Sequence, residues 1–176
     1  MTLYTIGHST RTESQFIALL KTHGIKTLVD IRAFPMSRRL PHFNREALEK
    51  SLAAENTEYV WMKDLGGRRA KLREQSPNVA LRNVSFRNYA DYMLTPEFKA
   101  ATGELEKTAA ARPTAIMCAE AVFFRCHRML VSDHFALHGH TVLHIQDAST
   151  PRPHRITPEA RLVADGVIYK GDRLPL

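Results

Sequence analysis

The sequence predicts a single α/β domain: a mainly parallel sheet of about five strands, flanked by helices, with a small C-terminal hairpin. Three observations predict it. Short apolar runs alternate with segments of helical periodicity, the runs are near-continuously apolar as in strands buried on both faces, and glycine or proline marks many of the junctions. At 176 residues the chain is long enough for one domain with a sizeable core.

The elements follow in order. Leu3 to Gly7 reads as a first strand, closed by its glycine. The segment TESQFIALLKTHG carries Phe16, Ile17, Leu19 and Leu20 at helical spacing and stops at Gly24. KTLVDIR is the second strand, and Pro35 and Pro41 mark the loop after it. Asn44 stands where an N-cap would precede REALEKSLAAEN, and EYVWM is the third strand. Two helices follow, SFRNYADYML and TPEFKAATGELEKTAAA. The second opens with Thr95 as cap, Pro96 in first place and Glu97 behind it. PTAIMC is the fourth strand, RCHRMLVSDHFALHG a helix, and HTVLHI the fifth strand. The proline-rich tail then holds a hairpin around Asp165 and Gly166.

Composition narrows the function classes. No window approaches the ~18 apolar residues of a membrane span, and the N-terminus starts like a strand. The expectation is a cytoplasmic chain without a membrane partner. Two cysteines are too few for a disulfide framework. The formal charge is +7, and twelve Lys or Arg face six Asp or Glu between Arg32 and Arg87. GGRRAKLR, residues 66–73, is the densest patch. An excess of this kind favours an anionic partner, a phosphorylated small molecule or a nucleic acid.

In a parallel sheet, ligands bind beyond the C-terminal ends of the strands, so the residues leaving each strand belong together. They are His8; Asp30 and Arg32, with Arg38 and Arg39 in the loop beyond; Asp64, Gly66 and Gly67; Cys118 and Glu120; and His144. Glu120 beside Val122-Phe123-Phe124 would be partly desolvated, which raises a carboxyl pKa and suits acid–base or nucleophilic work. Its plainer role is an ion pair with Arg32 or Arg128. Asp30 can be catalytic or hold an arginine. Cys118 can be a nucleophile at a helix N-terminus or a small buried hydrophobe. The spacing from Cys118 to Arg125 is one residue too long for the phosphate loop of cysteine phosphatases, and the intervening AEAVFF lacks glycine. Metal binding is not expected. Cys118, Cys126 and His127 offer three ligands, but neighbours on a helix point about 100° apart. His134, His138, His140 and His154 read as surface or tail residues. Phe86, Tyr89 and Tyr92, at helical spacing, read as core rather than a base platform. No phosphate-loop or dinucleotide motif specifies a cofactor.

The combination YTIGHSTRT, LVDIRAFPMSRR, DLGGRR, FRNYADYM and MCAEAVFFRCHR resembles the family called domain of unknown function 488, from Tyr4 to about Arg161. One departure is Phe123-Phe124, where members often carry a Pro-Trp-like pair. The resemblance implies a compact α/β fold and draws attention to His8, Asp30, Arg32, Arg38, Asp64, Gly66, Gly67, Cys118, Glu120, Cys126, His127 and Arg128. It implies no reaction. From the residues themselves the first expectation is a hydrolase or transferase acting on a phosphate-bearing substrate, a nucleotide or nucleic acid. In it Arg32, Arg38 and Arg39 with Asp64, Gly66, Gly67, His127 and Arg128 hold the substrate. Glu120, His8, Cys118 and Asp30 do chemistry. The alternatives are a non-catalytic nucleotide or nucleic-acid module using loop 66–73, and thiol chemistry at Cys118.

Overall fold

The computed structural model describes residues 1–171 of the 176. Its main sheet has strands β1 (Thr2–Gly7), β2 (Thr27–Asp30), β3 (Glu58–Trp61), β4 (Thr114–Cys118), β5 (Thr141–Ile145) and β6 (Arg152–Pro153), in the order β3-β2-β4-β1-β5-β6. The first five are parallel, and two-residue β6 runs antiparallel on the β5 edge. The predicted α/β fold with its parallel strands is confirmed. So is the hairpin: β7 (Ala160–Val163) pairs with β8 (Gly166–Tyr169), and Gly166 takes a φ of 134° that L side chains rarely adopt. Edge strand β6 lay unread in the proline-rich tail.

Two helices cover one face of the sheet. Helix α1 (Glu13–Thr22) begins with a capping box in which Thr12 and Gln15 exchange bonds, and it buries Phe16, Ile17 and Leu20. Burying each of those side chains contributes about 1.5–3 kcal/mol, more than the ~1 kcal/mol of the cap. Helix α2 (Arg45–Ala54) adds Leu48 and Leu52 to the same core, against Ile6, Leu28, Ala115 and Met117 of the sheet. Asn44 stands at its N-cap but makes no cap bond; its Oδ1 accepts from Ser37 N at 2.6 Å and fixes the preceding loop instead.

The other face carries α3 (Val84–Tyr92), α4 (Pro96–Ala111), α5 (Arg128–Leu137) and the hairpin, over Leu3, Val29, Ile116 and Val142. Asn83 caps α3, and Thr95 caps α4 as expected. Helix α5 starts later than its sequence pattern suggests. Phe123–Arg125 form a 3₁₀ turn and Cys126 is extended, so the chain bends sharply just before the helix. Among the described residues no helix is long and apolar enough to cross a membrane.

Candidate functional site

Because β2, β4 and β1 are neighbours, their C-terminal ends bring Asp30, Cys118 and His8 together. The backbone continues the pairing past the strands: His8 N donates to Cys118 O at 2.9 Å and Ile31 N to Met117 O at 3.0 Å. Glycine is required here, since a Cβ on Gly7 would overlap the carbonyl of Glu120. Beyond these ends lies a cavity of about 710 Å³ whose wall includes His8, Arg32, Cys118, Glu120, Cys126 and His127. Its mouth adds Phe34, Arg68, Phe86 and Arg125. A second cavity of about 350 Å³, between Lys71 and Asp91, contains none of the strand-end residues.

Asp30 is fully buried and does not line the cavity. Its carboxylate accepts Arg32 Nε at 2.9 Å, Arg32 Nη2 at 2.5 Å, Arg32 backbone N at 3.0 Å and Tyr59 Oη at 2.7 Å. Burial, with the nearby carboxylate, pushes the Tyr59 phenol far up, so it stays a donor. With its oxygens taken, Asp30 holds an arginine rather than reacting. Arg32 Nη2 also donates to Phe43 O at 2.8 Å, leaving Nη1 directed at His8 Nε2, 3.5 Å away. His8 donates from Nδ1 to Ser9 O at 2.9 Å and stacks on Phe43. Burial pushes its value down to about 4, so at neutral pH Nε2 carries a lone pair.

Across the cavity, His127 and Cys126 meet at 3.4 Å between Nδ1 and Sγ. His127 Nε2 lies 2.9 Å from the carbonyl of Ile31, which can only accept, so the ring proton sits on Nε2 and Nδ1 faces the sulfur. The neighbouring Cys118 thiol holds Cys126 below the ordinary thiol range, with Arg128 helping, while Cys126 and burial raise Cys118. Arg128 is buried beneath. Its guanidinium donates to the carbonyls of Glu120 and Ala121, and its backbone N to Cys126 Sγ at 3.5 Å.

Other expectations are corrected. Glu120 is exposed at the rim, so the desolvation read from its neighbours is not present. The ion pairs considered for it do not form either: Arg32 is bound to Asp30, and Arg128 bonds the backbone oxygen of residue 120. Arg38 and Arg39 are exposed and off the cavity wall. Asp64 is exposed too, and only its carbonyl is used, by Arg69 and Tyr92. Gly66 is buried where a Cβ would meet Ala33 Cα at 2.9 Å, a packing role. His144 turns away from the cavity under Phe123, and His154, with a side chain 1% exposed, is no surface residue. Together they join Thr5 to Asp133: Thr5 Oγ1 to His144 Nδ1 at 2.7 Å, His144 Nε2 to His154 Nδ1 at 3.0 Å, and His154 Nε2 to Asp133 Oδ1 at 2.9 Å.

The Domain of unknown function DUF488 matches residues 12–135, most of the chain. The chain belongs to this family. No curated protein and no solved structure matches it. Within DUF488 limits lie the motif residues from Asp30 to Arg128, whereas His8 precedes them and joins the site through β1. Phe34 and Phe86 went unread as lining residues. An exposed aromatic in a proline-marked loop was the available signal for Phe34, and the helical spacing that places Tyr89 and Tyr92 in the core masked Phe86.

Proposed function

We propose that the cavity at the C-terminal edge of the sheet is the active site of a hydrolase or transferase acting on a phosphate-bearing, nucleotide-like substrate. The observation that carries this reading is the pairing of cations with open aromatic surface at one mouth. Arg32, Arg68 and Arg125 face the cavity against one carboxylate, Glu120, and Phe34 is 66% exposed beside them. Guanidinium groups suit phosphate oxygens, and an exposed ring suits a planar base. The Arg68 guanidinium lies 5.6 Å from the Phe34 ring, so both features serve one ligand.

In this reading Arg32, fixed by Asp30, orients the phosphate, and Arg68 and Arg125 screen its charge. His8 accepts a proton from the attacking hydroxyl or water. A bound phosphate beside His8 raises its low value toward neutrality, where an imidazole base is most effective. Glu120 at the rim contacts the leaving group or solvent.

A purely electrostatic nucleic-acid role for loop 66–73 draws less support. Arg69 is spent on the carbonyls of Gly66, Lys63 and Asp64 and stacks 3.6 Å from the Tyr92 ring centre, while Lys71 pairs with Glu74. The test is calorimetric titration with nucleoside phosphates, free nucleosides and inorganic phosphate. The reading requires a nucleoside phosphate to bind more tightly than either fragment. Equal binding of all three, or of none, refutes it.

A further inference from the structure

We infer that Cys118, Cys126 and His127 form a three-ligand site for a zinc-type divalent ion, with its fourth coordination position open to the cavity. Cys118 Sγ, Cys126 Sγ and a His127 ring nitrogen all lie within 4.8 Å of one another, and all three residues line the cavity. A tetrahedral zinc with ligands at about 2.0–2.3 Å needs that cluster to close only slightly.

The objection from helix geometry does not apply to these residues. Cys126 is extended, with φ −133° and ψ 151°, and His127 is helical, with φ −56° and ψ −15°. The backbone turns between them, and adjacent side chains converge where two positions within a helix would diverge.

The surroundings fix each ligand as a metal site requires. The Ile31 carbonyl holds the proton on His127 Nε2 and presents the Nδ1 lone pair to the sulfurs, the carbonyl–histidine arrangement that orients metal ligands. Gly67 is pressed against the same imidazole: a Cβ there would overlap Nδ1 and lie 2.8 Å from Cγ. Tyr89 packs on the ring from another side, 5.1 Å between centres. The backbone N–H of Arg128 points at Cys126 Sγ and supports its thiolate.

Charge and donor type choose the ion. Two thiolates neutralise a dication, so the centre adds no net charge beside the buried Arg128, which has no carboxylate in ion-pair range among the described residues. An S₂N set favours zinc over magnesium or calcium, which take oxygen. Three protein ligands with an open position are the pattern of a catalytic zinc. That position faces the space in which His8 Nε2 and Arg32 meet the substrate, so this inference rests on the proposed function for the use of the metal, though not for its binding. Loading displaces thiol protons to solvent, and apparent affinity therefore rises with pH.

The test is reconstitution of the reduced full chain with Zn²⁺ or Co²⁺, followed by dialysis, metal analysis and visible spectroscopy. One ion per chain is expected, with the intense visible bands of tetrahedral cobalt and a sulfur-to-cobalt charge-transfer band. Cys118→Ser and Cys126→Ser should each remove the charge-transfer intensity of one thiolate, and His127→Ala should weaken binding at least about 10-fold. Zinc should also protect both thiols of the unmodified chain from a disulfide reagent, a readout that needs no variant. Failure to retain metal, or retention unchanged in both serine variants, overturns the site. Metal without nucleoside-phosphate binding leaves this site standing and removes the proposed function; the reverse result removes only this site.

Discussion

Gly67 lies against the imidazole of His127 so closely that the residue can carry no side chain, because a Cβ would fall 2.8 Å from the ring Cγ. The loop after β3 and the turn before α5 are thereby locked together. Tyr89 and Tyr92 reinforce the loop from α3, donating to the carbonyls of Leu65 and Asp64 at 2.8 Å each.

Gly67→Ala therefore displaces His127 or the loop. We expect a loss of about 1–3 kcal/mol in urea unfolding, the usual cost of overpacking. Cobalt affinity should fall with it. A chain that keeps both its stability and its cobalt spectrum contradicts the contact.

Asp30→Ala leaves the Arg32 guanidinium buried without its partner. Removing one member of a buried pair costs about 3–5 kcal/mol, and chemical denaturation should show that loss. Arg32→Lys should also be costly, since an ammonium cannot reproduce the forked contact of Nε and Nη2 with Asp30.

Acid sensitivity follows from three desolvated histidines, of which His134 is pushed down to about 3 by burial, with His138 and His140 beside it. Burial pushes His8 down to about 4, and burial, with His154 and Arg128 beside it, pushes His144 down to about 3. A free imidazole titrates near 6.5, so below that pH the unfolded chain takes up protons that the folded chain refuses. Stability should hold above pH 7 and fall from about pH 6.5 to 4, by up to roughly 1.4 kcal/mol per pH unit for each histidine. His144→Gln should remove one proton from that slope in denaturation at several pH values. A slope unchanged by the substitution contradicts the assignment.

Phe34→Ala and Arg69→Ala should separate ligand from scaffold. Phe34 is largely exposed, so its loss should leave the melting temperature nearly unchanged and weaken nucleoside phosphates while sparing inorganic phosphate. Base stacking of this kind is worth about 1–3 kcal/mol, roughly a 5- to 150-fold change in affinity. Arg69 holds three carbonyls, and Arg69→Ala should lower the melting temperature instead.

The five parallel strands and the hairpin were legible in the sequence because apolar runs and glycines act locally. The strand-end rule likewise grouped His8, Arg32, Cys118 and Glu120, which line one cavity, with Asp30 buried behind Arg32. What it could not supply was direction. Glu120 sits beside apolar residues in sequence, but the 3₁₀ turn at Phe123–Arg125 carries them away and leaves its side chain exposed. Cys126 and His127 look divergent until the extended backbone at Cys126 is known. His154 lies in a proline-rich tail, and only the antiparallel pairing of β6 on β5 buries it between His144 and Asp133. These are long-range placements, and periodicity does not encode them.

Thermal unfolding of the wild-type chain with a panel of nucleoside phosphates, at two salt concentrations, tests the central claim most directly. A ligand at 100 times its Kd stabilises by about 2.7 kcal/mol, roughly 5–11 °C for a domain of this size. The account predicts a salt-tolerant shift from a nucleoside phosphate that shrinks in Phe34→Ala. No shift from any nucleoside phosphate, or one from oligonucleotides alone that vanishes at high salt, would contradict it.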